Sequence, residues 1–154
     1  KKTKHTVKPH WVYKDQNIED YHLHLMMIPD TIDTLKKLKR LGVITVILST
    51  HPQSKKAAQE ILTKKVNYFK INSLFDEVHA TEDRYESKGE YIVQILKKLK
   101  IPKSKALMVG DNYFWDYKPA RNVGVDALLL TSDYMKKDKR IKIAKSIKDL
   151  LRYV

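Results

Sequence analysis

Four short strand-like runs, three of them apolar, separated by stretches of helical spacing, set the narrowest limit on what this chain can fold into. The runs are 43–48, 77–80, 106–109 and 126–131. Between them, apolar residues recur every three or four positions, the period of an amphipathic helix. Short strands that alternate with helices predict an α/β fold with a mostly parallel central sheet, buried on both faces. In such a sheet the ligand site lies beyond the carboxyl ends of the strands.

Taken in order, residues 1–30 read as an N-terminal loop or hairpin region and 31–154 as the core of one domain. In the first region Tyr21, Leu23, Leu25 and Met27 alternate with His22 and His24, which suits a short half-buried strand. Asp30 is placed to cap a first helix with Asp33 at its third position and a stripe of Ile32, Leu35, Leu38 and Leu41, ended by Gly42. A second helix is expected over 53–66, burying Ala57, Ala58, Ile61, Leu62 and Val66. Ser87-Lys88-Gly89-Glu90 reads as a capping box that starts a third, with Ile92, Ile95, Leu96 and Leu99 inside. Ser146 and Asp149 predict a last short helix to about Tyr153.

The run at 106–109 ends on Gly110-Asp111-Asn112, and Asp116 follows after four residues. Two carboxylates at a strand end can hold a hard cation through oxygen ligands. A plain structural role competes, with Asp111 making an Asx-turn and Asp116 capping residues 117–123. Ser49-Thr50 ends the run at 43–48 and Lys88 stands at a helix start, which places both on the same sheet edge. Each has an ordinary explanation alone, as a turn or a surface lysine. Together they are chemically complementary. A hydroxyl and loop amides bind phosphoryl oxygens, a lysine neutralises charge, and two carboxylates hold magnesium.

Composition bounds the remaining classes. Hydrophobic residues make up 42% of the 154, enough for a globular core, and no window is long and apolar enough for a membrane span. With no cysteine there is neither a disulfide framework nor a thiolate metal site. No secretory leader is visible, so a cytoplasmic location is expected. The 31 Lys and Arg against 18 Asp and Glu give a formal charge of +13. The lysines are dispersed over helix faces, without an arginine cluster or a nucleic-acid motif, so nucleic-acid contact is a secondary reading. A positive field also attracts phosphorylated substrates. His5, His10, His22 and His24 lack the spacing of a zinc helix motif.

The order of these features resembles the haloacid dehalogenase superfamily, mostly phosphatases of Rossmann-like fold. Val46-Ile-Leu-Ser49 is similar to the second motif of that family, with Thr50 where many members have Asn. Ser87-Lys88-Gly89 is similar to the third, and Val109-Gly110-Asp111-Asn112 with Asp116 to the fourth. The likeness runs from about residue 29 to 132. It implies a three-layer sandwich, magnesium as cofactor and an aspartyl-phosphate route to phosphomonoester hydrolysis. Ser49 and Thr50 would bind the phosphoryl group, Lys88 would be the catalytic cation, and Asp111 and Asp116 would hold the metal. Only about 37 residues separate Ser49 from Lys88. That leaves little or no room for a cap domain there, as in small capless magnesium-dependent phosphatases, whose open sites suit bulky phosphorylated substrates.

One departure stands against the likeness. The first motif of the family is a central strand ending Asp-x-Asp, and no such motif is present; Tyr13-Lys14-Asp15 stands nearest to it. Either that strand lies upstream of Lys1, the reading favoured here, or residues 7–13 fill its place without a nucleophile. The second case would make the chain a non-catalytic module that binds a nucleic acid or protein through its basic surface. A phospho-receiver domain needs its acids early and its lysine late, the reverse of this order.

Overall fold

The computed structural model describes residues 25–51, 53–81, 87–130 and 141–154, without the side chain of Ser87. Strand alternates with helix throughout. Helix α1 (Thr31–Arg40) leads to β1 (Val46–Thr50), α2 (Lys55–Tyr68) and β2 (Glu77–Thr81). Helix α3 (Ser87–Leu99), β3 (Leu107–Gly110), a π-helical turn (Tyr113–Tyr117), α4 (Lys118–Asn122) and β4 (Asp126–Leu130) follow. The short strand β5 (Ile143–Ala144) and a 3₁₀ segment (Ile147–Arg152) complete the chain.

Among the described residues all strand pairs are parallel. Strand β1 pairs with β2, and β3 with β4 and β4 with β5. The α/β expectation is therefore met, and β5 is an element the sequence pattern did not reveal. Strand β4 shows how the layers form. Leu128 packs to one side with Leu35 and Leu38 of α1 and with Ile147 and Leu150. Its neighbours Ala127 and Leu129 pack to the other, with Ile92 of α3 and Ala120 of α4. This is the period of two expected of a strand buried on both faces. Helix α2 covers β1 and β2 through Ala58, Leu62 and Val66 against Ala80, Ile47 and Val78.

The two sheet pieces share a helical layer, because Leu48 of β1 and Met108 of β3 both pack against the α3–α4 cluster. Among the described residues, however, no strand joins β1 to β3. Exposure follows from this. Ala127, Leu128 and Leu129 of β4, the strand that pairs with both β3 and β5, are at most 1% exposed, whereas every residue of β1 and β3 is only half-buried.

Local differences from the sequence reading have simple causes. Strand β1 begins at Val46 and runs through Ser49 and Thr50, which pair with Ala80 and Thr81 instead of starting a turn. Helix α1 buries Leu35, Leu38 and Thr34, while Ile32 and Leu41 are 38% and 63% exposed at its two ends. Asp30 makes no capping bond to α1; its carboxylate meets Lys148 Nζ at 3.0 Å and ties the helix start to the C-terminal segment. The Ser146–Asp149 capping box forms as expected. The alternating segment 21–27, the four N-terminal histidines, Tyr13, Asp15 and the Ser87 cap lie wholly or partly outside the described residues.

Asp76 fixes where β1 and β2 begin. Its carboxylate accepts from Thr45 N at 2.8 Å, from Thr45 Oγ1 at 3.3 Å and from Lys39 Nζ at 2.6 Å. The lysine first, and the Thr45 amide after it, hold the Asp76 pKa below the ordinary carboxylate value. A depressed folded-state pKa means that the stabilisation is complete above the unfolded-state value and is lost as pH falls through the folded one. Asp76→Ala should cost about 1–2 kcal/mol near pH 7, discounted for its surface position, and progressively less toward acid. Urea melts at several pH values check this, and a pH-independent difference between the two proteins would contradict it.

Candidate active site

The carboxyl ends of β1, β2 and β3 bring together residues far apart in sequence. Gly110 ends β3, and the chain then folds into the π-helical turn instead of a regular helix. Asn112 directs that turn, its Oδ1 accepting from Phe114 N at 3.0 Å and Trp115 N at 3.1 Å. It is thus Asn112, and not Asp111 or Asp116, that does the capping. Asp116, freed from that role, folds back over the strand end, where its Oδ2 accepts from Asn112 N at 3.0 Å.

The other carboxylate oxygen of Asp116 meets Lys88 Nζ at 2.5 Å. Both residues are buried, Lys88 to 4% exposure and Asp116 to 7%. Two close approaches make the pair feasible. A Cβ on Gly110 would fall 2.3 Å from the Asp116 side chain, so the carboxylate occupies space that any other residue at 110 would fill. A Cβ on Gly89 would meet Pro119 O and Val123 Cγ1 at 3.0 Å, so the first turn of α3 lies directly on α4. That contact holds Lys88 above the β3 end.

Asp111 reaches solvent beside this pair. Its partial withdrawal from water, and the neighbouring charge of Asp116, push its pKa above the ordinary value, against the opposing pull of Lys88 and Lys65. Lys65 of α2 was not singled out from sequence. Burial lowers its pKa, while the charge of Asp111 acts the other way. On the β1 side, Thr50 Oγ1 and Thr81 Oγ1 are hydrogen-bonded at 2.9 Å, and His51 N continues the ladder to Thr81 O at 3.0 Å. Burial first, then the charges of Lys65 and Lys88, lower the His51 pKa to about 4.

The sequence-selected residues Ser49, Thr50, Lys88, Asp111 and Asp116 thus all stand at strand ends or beside them. Lys88 faces Asp116 most closely, and its charge also reaches Asp111. A divalent cation suits this arrangement: two carboxylates of like charge lie close enough for one to raise the pKa of the other, and a cation relieves that repulsion. Among the described residues no group of three or more His, Cys, Asp or Glu could hold a metal. Asp111 and Asp116 would therefore share the ion with further oxygen donors. Magnesium accepts such a site, since it commonly takes one or two carboxylates and keeps several waters. Among the described residues no helix is long and apolar enough to cross a membrane.

Comparison with known proteins agrees with this geometry. Residues 1–130 match the family model of haloacid dehalogenase-like hydrolases. A candidate pyrophosphatase, PpaX, from Caldanaerobacter subterraneus subsp. tengcongensis is 29% identical over 150 residues, covering 92% of this chain and 64% of its own. An (S)-2-haloacid dehalogenase from Pseudomonas fluorescens is 32% identical over 111 residues, 71% of this chain and 46% of its own. The chain therefore spans from about half to just under two thirds of the length of these relatives. The crystal structure of a HAD phosphatase from Thermococcus onnurineus superposes with a TM-score of 0.71 at 21% identity, covering 90% of this chain and 64% of that one.

Two substitutions test the buried pair. Lys88→Met should cost about 3–5 kcal/mol, because it leaves the Asp116 carboxylate buried without its cation. Gly110→Ala should cost about 1–3 kcal/mol by pushing that carboxylate away. Denaturant unfolding measures both, and a Lys88→Met protein as stable as the parent would show that the pair is solvated.

Proposed function

Because this chain belongs to the haloacid dehalogenase-like hydrolases, we propose that it carries the phosphoryl-binding and metal-binding parts of a magnesium-dependent phosphomonoesterase. The buried Lys88–Asp116 pair, closed over Gly110 with Asp111 beside it, is the observation that supports this most directly. A lysine and a carboxylate kept from water at a strand end hold charge in fixed positions, which is what stabilises a phosphoryl group in transfer.

The roles follow from position. The Ser49 hydroxyl and the Thr50 amide donate to phosphoryl oxygens. Lys88 balances the negative charge that gathers between nucleophile and phosphoryl group, with Asp116 fixing its ammonium. Asp111 supplies a carboxylate oxygen to magnesium, and Asp116 supports the ion directly or through water. Magnesium, when bound, neutralises phosphoryl charge and lowers the repulsion met by an attacking carboxylate.

That attacking carboxylate is not among these residues. Among the described residues no strand joins β1 to β3, which supports a reading in which the strand bearing it pairs there, on a segment upstream of Lys1 that ends Asp-x-Asp. Its first carboxylate would attack phosphorus, expel the substrate alkoxide and form an aspartyl-phosphate, which water then hydrolyses.

A second reading keeps the fold and changes the chemistry. The two relatives named as (S)-2-haloacid dehalogenases, 32% and 31% identical, favour it. Displacement of halide by a carboxylate has no phosphoryl charge to neutralise, so magnesium separates the two. A non-catalytic module acting through its basic surface is the third reading.

The chain as written should hydrolyse p-nitrophenyl phosphate poorly. Joining an upstream apolar strand that ends Asp-x-Asp should create hydrolysis that requires magnesium and is abolished by Asn at the first Asp or by Asp111→Asn. Magnesium-independent turnover of (S)-2-chloropropionate by the joined protein would move the reading to dehalogenation. Robust magnesium-dependent phosphatase activity without the added strand would put the nucleophile within residues 1–154, with Asp15 tested first. No activity toward either substrate would favour the binding module.

A further inference from the structure

Strand β2 has one strand neighbour among the described residues, β1, and its other edge is met by a side chain. The ladder shows which backbone groups face which way. Thr81 O accepts from His51 N at 3.0 Å, so the backbone of Thr81, and by alternation that of His79 and Glu77, points toward β1. Val78 and Ala80 therefore point their N–H and C=O groups away from it. Gln59 of α2 takes one of each. Its Nε2 donates to Val78 O at 3.0 Å, and its Oε1 accepts from Ala80 N at 2.9 Å.

One carboxamide thus makes the two bonds that one residue of a further parallel strand would make, to a carbonyl and to the amide two residues on. Packing fixes it in place. Ala58, Leu62 and Val66 of the same helix are buried against Ala80, with Val78 beside them. An uncovered strand edge is a template on which another chain can pair, and Gln59 occupies the middle of this one.

The strand beneath it suits a second copy of this chain. Set antiparallel to itself about His79, the segment Glu77–Thr81 places Val78 opposite Ala80. The two residues that Gln59 holds would then exchange their bonds with each other across a two-fold axis. Glu77 would lie opposite Thr81, so no carboxylate faces its own copy. Such a contact closes as a dimer.

We propose that Gln59 is a stopper built into the β2 edge: with its carboxamide docked the edge is shut, and its release opens an interaction surface for β2 of a second copy of this chain.

The Ala80 amide reports on this directly, through hydrogen exchange followed residue by residue in the parent chain and in Gln59→Ala, whose alanine keeps α2 helical. In the parent, Ala80 should be protected equally in dilute and concentrated solution. In dilute Gln59→Ala it should exchange about tenfold faster, the effect of one lost hydrogen bond, while Leu128 in β4 is unchanged. In concentrated Gln59→Ala the protection should return as dimer appears in sedimentation velocity. Association through the β1 or β3 edge would be common to both proteins and would leave Ala80 as it was. A Gln59→Ala protein that sediments like the parent at every concentration, with Ala80 fast throughout, makes Gln59 a helix anchor and overturns the proposal. Association accompanied by equally fast exchange at Leu128 overturns it too, since that is unfolding and not edge pairing. An Ala80 amide left unprotected in the dilute parent does so without any variant.

Discussion

The ion pair between Lys88 and Asp116 is the contact on which the site depends. Placing two charges in the interior is unfavourable by itself, and is tolerated only where each has a partner and the remaining lone pairs are used. Asp116 satisfies both conditions, with Lys88 on one oxygen and the Asn112 amide on the other. Neither condition would hold without glycine at two positions. Gly110 gives up its side-chain volume to the carboxylate, and Gly89 lets α3 descend onto α4 until the lysine reaches it. The pair therefore links three elements distant in sequence, the start of α3, the end of β3 and the turn before α4. Its geometry is set by backbone approach, which is stiffer than side-chain contact.

A second constraint is that, among the described residues, no strand lies between β1 and β3. Each of these strands has one paired edge among the described residues, and each is half-buried where the middle of β4, a strand with neighbours on both sides, is fully buried. Backbone amides and carbonyls along an unpaired edge must find water or another strand. Leu48 and Met108 nevertheless rest on one helical cluster, so the two edges flank a common space. The Ser49–Thr50 end and the Asp111–Asp116 end stand on its two sides. A strand between them would pair with both edges and end near the Ser49–Thr50 and Asp111–Asp116 ends.

Much of this was legible in the sequence because it rests on local pattern. The four strand-like runs became β1 to β4, the Gly42 stop followed α1, and the Ser146–Asp149 cap formed. The five site residues could be chosen because each sits at a predictable end of a strand or helix. What the sequence hid depends on long-range packing. Strand β5 is two residues long and too short for any periodic signal. Lys65 looked like an ordinary lysine on an exposed face until the fold set it near Asp111. His51 follows a strand end as any polar turn residue might, and its buried nitrogen is seen only in three dimensions. The division of labour at 111–116 was hidden for the same reason: the competing structural reading gave the turn to Asp111 and the cap to Asp116, and only the π-helical turn shows that Asn112 does the capping.

The excess of positive charge also has a different meaning once the ion pairs are known. Acids at the surface are occupied by cations: Asp76 by Lys39, Glu77 by Lys98, Asp126 by Arg121 and Lys142, and Asp149 by Arg152. Such exposed pairs contribute little to stability, and they leave the surplus lysines dispersed in water. Dispersed charge raises the local concentration of any anion, but solution salt screens it over about 8 Å, so it cannot choose between anions. Choice has to come from the strand ends. There Lys88 and Lys65 nearly offset Asp111 and Asp116, and an arriving phosphate meets balanced charge instead of a strongly positive surface. Magnesium, if bound there, would tip that balance toward the anion.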